Sequence, residues 1–277
     1  LTLPVTATES SGIAVPLRRA FALTLRHLYL YTGSWPRLVE MMYWPILNIA
    51  MFGFISLSIV NRFGHADVMT ETFLAGLLLG EMLTRVQTAM LVFHMEEVWS
   101  RNLGHLFASP LRLRDYVGGL VSLSLFRSII SVAPAYLIAY YLFDFSILKL
   151  GWMLPIYIGL LCFNGWLLGM LIVSLLLRFG LAAEWLGWMS TWLFMPFMAP
   201  YYPVSVLPKA FQYVSWSLPG TYVFESMKEQ LASGAARFDY LGVALALNVV
   251  YFLGSVLIFF YSFRSTKKSG GLLQMGE

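Results

Sequence analysis

Three charged residues sit inside runs that are otherwise long and apolar: Glu81 and Arg85 within 72–93, and Arg127 within 116–143. A charge at the centre of a lipid bilayer costs about 2.5–3.5 kcal/mol on insertion scales, so such residues face a partner or a watery cavity. Glu81 and Arg85 are four positions apart and share one helix face. Counting about 1.5 Å per residue from the ends of the two runs puts Glu81 and Arg127 at similar mid-depth, where they are able to pair between helices. Two uses stay open for this trio: an interhelical clamp that holds the fold, and a polar station on a path through the membrane.

Other chemistries lack the residues they need. His94 stands near Glu97, but the His-Glu-x-x-His zinc spacing is absent and no third ligand is obvious, so no metal site is expected. A Gly-x-Ser-x-Gly nucleophile elbow is absent as well. A phosphate-binding loop requires Gly-x-x-x-x-Gly-Lys-Ser/Thr, and none of the five lysines follows a glycine. The lone Cys162 excludes an internal disulfide and a thiolate cluster, and it reads as a core residue. The four histidines, at 27, 65, 94 and 105, are scattered. A membrane-embedded lipid-modifying enzyme would need them, or acids, to converge at one face.

The elements that must carry these residues are membrane helices. Of the 277 residues 59% are hydrophobic and only 12% charged, about half the charged share of an ordinary soluble domain. A bilayer core is about 30 Å thick, so a helix crosses it in about 20 mostly apolar residues. Four runs meet that length without a charge beyond a border lysine: 41–60, 150–177, 185–207 and 240–263. With 72–93 and 116–143 they make six spans. The net charge of +4 is modest and implies no nucleic-acid partner.

Lysine and arginine placement sets the orientation. With both termini in the cytoplasm, eleven fall inside (Arg18, Arg19, Arg26, Arg37, Arg101, Arg112, Arg114, Arg178, Arg264, Lys267 and Lys268) and five outside (Arg62, Lys149, Lys209, Lys228 and Arg237). Residues 1–15 lack the basic, apolar and small-residue order of a secretory leader.

Before the first span, 16–35 reads as an interfacial helix. Pro16 suits its first position; Leu17, Phe21, Leu25 and Leu28 share an arc of about 80° with Arg19 and Arg26 opposite. The tails, 1–14 and 265–277, read as flexible. Between spans two and three, 94–115 forms a cytoplasmic segment. There 96–105 reads as a short helix, Ser109 as an N-cap and Pro110 as the opening of the next helix. On the other side, 201–239 is too apolar for a solvated loop, and Pro203, Pro208 and Pro219 break it into half-helices of a re-entrant segment. No internal repeat or linker divides the chain, so 1–277 is one membrane domain.

Two small-xxx-small pairs, Gly76/Gly80 and Gly165/Gly169, permit close helix approach, either within one protomer or between two. The aromatic and methionine-rich stretch before 202 includes Trp192, Phe194, Met195, Phe197 and Met198, an adaptable apolar surface able to line a cavity.

Three segments then combine: the amphipathic amino-terminal helix, Glu97-Val-Trp-Ser-Arg101-Asn-Leu-Gly-His-Leu-Phe-Ala-Ser109-Pro110-Leu111, and Tyr202-Pro203-Val-Ser-Val-Leu207-Pro208 followed by Pro219-Gly-Thr-Tyr222-Val-Phe-Glu225. In this order and topology the chain resembles the permease subunits of type-2 ABC exporters, relatives of the G-type half-transporters. Lys228 departs from the arginine many members carry there.

The resemblance implies an all-α permease that pairs with a second, identical protomer and docks two copies of a separate ATPase, which holds the ATP and magnesium. No cofactor is expected on this chain. Glu96, Glu97, Arg101, His105, Ser109 and Pro110 would couple it to the ATPase. Pro203, Pro208, Pro219, Tyr222 and Glu225 would shape an external hairpin that caps the exit. The expected setting is a bacterial inner membrane, and the expected cargo an apolar, amphipathic or lipid-linked compound. An ion-coupled carrier using Glu81 and Arg127, or the lipid-modifying enzyme, is the alternative.

Overall fold

The structure is a computed structural model, and it describes residues 21–29, 33–63, 67–108 and 112–268. The tail at 1–14, the start of the interfacial helix, Ser109, Pro110 and residues 269–277 lie outside the described residues. Every regular element among the described residues is helical. After a first helix, α1, over 21–29 come α2 (Trp35–Phe63), α3 (Asp67–Trp99), α4 (Leu103–Ala108) and α5 (Leu113–Phe143). Next are α6 (Leu154–Phe179), α7 (Glu184–Met198), α8 (Lys209–Ser217), α9 (Pro219–Ser233) and α10 (Phe238–Lys268).

Five segments are long and apolar enough to cross a membrane, so the chain is a multi-pass membrane protein. Four are single helices: Trp35–Ser58, Met69–Trp99, Leu113–Phe143 and Phe238–Lys268. The fifth, Ile147–Met198, is 52 residues long and holds both α6 and α7. The chain turns between them through Gly180, whose φ of 64° suits glycine and ends α6.

Contacts along α3 fix the directions of its neighbours. A Cβ on Gly165 would meet Val86, and one on Gly169 would meet Met90, so α6 runs parallel to α3. Gln87 bonds the Gly187 carbonyl, Met195 lies against Gly80, and the Pro200 carbonyl lies against Gly76, so α7 runs antiparallel to α3. Asn48 of α2 meets Glu81, while Phe52 further along α2 meets Phe73 earlier in α3, which makes α2 antiparallel to α3 as well. Asn248 and Thr266 of α10 donate to Leu160 and Leu177 of α6 in the same chain order, so α10 is parallel to α6.

Both glycine pairs are therefore spent on close approach within one protomer. The span in α3 is 83% buried, whereas those in α2 and α10 are each 22% buried. Thus α3 is the axle, and α2, α5 and α10 present broad apolar faces outward.

Four boundaries differ from the sequence reading. The span expected to reach 207 stops at Met198, where Ala199 turns left-handed with φ 50° and Pro200 follows. The expected helix over 96–105 is divided: 96–99 continue α3, Arg101 adopts φ 53° in a turn, and α4 starts afresh at Leu103. The helix after it opens at Leu113; Arg112 is extended, and its N–H donates to Asp115 in the first turn. Residues 265–268, expected in the flexible tail, extend α10 to Lys268, with Thr266 bonded to the Leu177 carbonyl.

Candidate functional site

Two polar centres lie on α3, about 24 Å apart along its axis at about 1.5 Å per residue. The first is a latch at its C-terminal end. Helix α1 turns Leu23, Thr24 and His27 inward, a stripe at spacing three and four, while Phe21 of the expected apolar arc is 58% exposed. His27 is fully buried and stacks on Phe93 with ring centroids 4.1 Å apart. Its Nδ1 lies 3.0 Å from Glu96 Oε2, and its Nε2 lies 3.0 Å from Glu97 Oε1.

Carboxylate oxygens only accept, so an imidazole bonded at both nitrogens donates from both and is held as the imidazolium. Burial alone would lower the pKa of His27, but the bonds and charges of Glu96 and Glu97 outweigh it and raise the group above its ordinary 6.5. Arg26 adds a two-nitrogen grip on Glu97, at 2.8 and 3.4 Å, and Asn102 donates to the same carboxylate at 2.7 Å. Arg37 of α2 stands 3.8 Å from Glu96. Residues from α1, α2 and the turn after α3 thus converge on two adjacent carboxylates.

The sequence reading placed Glu96 and Glu97 in this region, with Arg101 and His105. The structure divides the set: Glu97 is buried in the latch, whereas Arg101 and His105 are exposed on the turn and on α4. Sequence reasoning missed His27. The available signal was a histidine on an amphipathic helix beside a chain segment carrying two consecutive acids.

The second centre is near the middle of α3. Glu81 is buried and accepts from Asn48 Nδ2 at 2.5 Å and from Arg85 Nε at 3.1 Å. Arg127 lies elsewhere, sharing with Glu40, Arg85 and Ser131 the wall of a small recess of ≈ 70 Å³. The two carboxylate oxygens of Glu81 are thus engaged by an asparagine from α2 and by its own helix neighbour.

Beside Glu81 opens a cavity of ≈ 180 Å³ between α2, α3, α7 and the segment after α7. Phe52, Thr84, Thr191, Trp192, Met195 and Tyr201 help to line it. Of the five aromatic and methionine residues expected on a cavity wall, Trp192 and Met195 are there. Met198 packs against Gly220, Phe197 meets Phe211 edge-on, and Phe194 packs against the main core.

On the far side of the bundle, prolines punctuate as expected. Pro203 precedes a single turn over Val204–Val206, Pro208 precedes α8, and Pro219 opens α9. Lys228 is the knot of this region: its ammonium donates to the Ala199 carbonyl at 2.9 Å, the Tyr202 carbonyl at 2.6 Å and Glu225 at 2.6 Å. Glu225 also accepts from the Val204 N–H at 2.9 Å, and Tyr222 donates to the Trp216 carbonyl. Three separate acceptors around one nitrogen suit a lysine, which explains the departure from arginine.

No curated protein matches the chain. The family description that does match is the ABC-2 type transporter, over residues 18–232. That stretch contains the latch, the Glu81 cavity, α8 and all but the last residue of α9, and it covers most of the 277 residues. The chain belongs to the ABC-2 type transporter family and is a transmembrane component of such a transporter.

Proposed function

We propose that this chain is the permease half of an ATP-driven exporter that moves an apolar, amphipathic or lipid-linked compound out of the cytoplasm or the inner leaflet of a bacterial inner membrane. ATP hydrolysis belongs to a separate subunit, present in two copies, with ATP and magnesium held there. A second, identical permease chain completes the passage. The sequence supports the division of labour, since it offers no phosphate loop.

Six crossings with both termini in the cytoplasm fit the observed directions. Helices α2 and α7 run opposite to α3, α6 runs with α3, and α10 runs parallel to α6. Helix α7 is about 22 Å long by rise per residue, short of a full bilayer, and the segments flanking it complete the crossing. Helices α8 and α9, broken at Leu218, form the re-entrant cap on the external side.

The observation that carries this reading is the latch. A transporter driven from outside the bilayer needs a rigid handle on its moving helices, and α1 is clamped onto the end of the most buried one by His27 and Arg26. Closure of the ATPases pushes on α4 and the turn at Arg101; α3 carries the displacement to the cavity beside Glu81 and biases it outward-open.

The test is affinity purification from the native membrane in mild detergent. A Walker-motif ATPase is expected to accompany the wild-type chain and to be lost from an Arg101→Glu/His105→Glu double variant, whose changes lie on exposed positions. Functional permease that purifies with no ATPase would overturn the reading and favour an ion-coupled carrier.

A further inference from the structure

Three of the four hydroxyl protons on the cavity wall are committed to protein acceptors, and the fourth, on Tyr201, is left to an occupant. Thr84 donates back to the Gly80 carbonyl at 2.9 Å, Thr191 to Gln87 at 2.7 Å, and Tyr202 to the Pro196 carbonyl at 2.6 Å. What these groups leave for an occupant are oxygen lone pairs. The remaining wall is aromatic and thioether surface from Phe52, Trp192, Tyr201 and Met195. Glu81, 7% exposed, forms part of the wall, while its partner Arg85 lines the neighbouring recess instead. The Glu81–Arg85 pair is thus a fixed dipole with its negative end at the cavity.

From this geometry we infer that the cavity receives the ammonium group of a cationic amphiphile, seated against Glu81 and the ring faces, with its apolar part toward the exposed edge of Trp192. A carboxylate, lone pairs and electron-rich ring faces all attract a positive charge, and they offer an anion little beyond the Tyr201 hydroxyl and the second amide proton of Asn48. The small volume selects a compact head group. The inference rests on the permease reading for its meaning as cargo recognition, but the binding itself needs neither ATP nor a partner.

The test uses the purified full-length chain in lipid nanodiscs, titrated calorimetrically against empty nanodiscs. The probes are benzyltrimethylammonium and its uncharged isostere neopentylbenzene, which differ only in the central nitrogen or carbon. The cation is expected to bind about tenfold or more tightly than the isostere, and Glu81→Gln to remove about that factor for the cation alone. Trp192→Leu, at an exposed position that leaves the fold intact, is expected to weaken the cation about threefold or more and the isostere little.

Equal affinity for the two probes, no binding of either, or a cation affinity unchanged by Glu81→Gln overturns the inference. Should Glu81→Gln fail to fold, an unchanged cation affinity in Trp192→Leu overturns it. Because no ATPase is present, a negative result leaves the permease reading standing, and that reading falls only on the co-purification experiment.

Discussion

His27 Nε2 lies 3.0 Å from Glu97 Oε1, across 70 residues of sequence, with neither side chain more than 1% exposed. Glu97 has three donors, from Arg26, His27 and Asn102, while the second acid, Glu96, holds His27 closely and the charges of Arg127 and Arg37 at longer range. Their removal is therefore expected to be unequal. Glu97→Gln should loosen α1 by about 1.5–3 kcal/mol, and Glu96→Gln by about 1 kcal/mol. Hydrogen exchange of the amides in 21–29 reads both: faster exchange in Glu97→Gln than in Glu96→Gln is expected, and equal exchange in the two would refute the ranking.

The same latch gives α1 a pH dependence. Because the bound His27 has its pKa raised above 6.5, its contribution is complete below 6.5, where the free group is also protonated. The contribution fades as pH rises through the bound value. Arg26 still grips Glu97 and Arg37 still stands beside Glu96, so docking weakens without being abolished. Protection of the 21–29 amides, taken relative to the intrinsic base-catalysed exchange rate at each pH, should fall on going from mildly acidic to alkaline buffer in the wild type, and that fall should vanish in His27→Gln.

How much of this could be seen beforehand depends on how far apart the determinants lie. The membrane helices were visible because a 20-residue apolar run is a local property, and Trp35–Ser58 or Phe238–Lys268 carries it unaided. The end of α7 was hidden: Met198-Ala199-Pro200 reads as continuous apolar chain, and an alanine gives no sign that it will turn left-handed. Lys228 holds that turn from 29 residues away. Glu81 was legible as a buried acid needing a partner. Its neighbour Arg85, four positions on, was legible by spacing; that Asn48 also engages it, and that Arg127 lines a different recess, depends on helix rotation, which apolar runs leave unspecified.

Lys228 supports a third expectation. Replacing it with methionine removes the donor that serves two carbonyls and leaves Glu225 without its ion partner, at a cost of about 3–5 kcal/mol. Arginine keeps the charge, but its planar fork cannot place one nitrogen among three acceptors, so it should be intermediate. Limited proteolysis at 199–208 is expected to rank the variants wild type, Lys228→Arg, Lys228→Met in order of increasing cleavage.

The glycines of α3 and α6 permit the sharpest structural test, because the obstruction differs in kind from site to site. A Cβ on Gly76 would overlap the Pro200 carbonyl oxygen, which is backbone and unable to swing aside. A Cβ on Gly169 would come within 2.7 Å of Met90 Sδ, which is able to swing aside, and 2.9 Å of Met90 Cβ, which moves only with its helix, a milder clash than that at Gly76. On Gly254 it would meet nothing within 4 Å. Overpacking costs about 1–3 kcal/mol, so Gly76→Ala should lie at the upper end and Gly169→Ala lower. Gly254→Ala should be neutral or slightly stabilising, since alanine favours the helix by up to about 1 kcal/mol. Thermal unfolding of the three variants in one detergent is expected to follow that order. A Gly76→Ala chain as stable as Gly254→Ala would mean that α3 and the turn after α7 do not approach as closely as the shared wall of the Glu81 cavity requires.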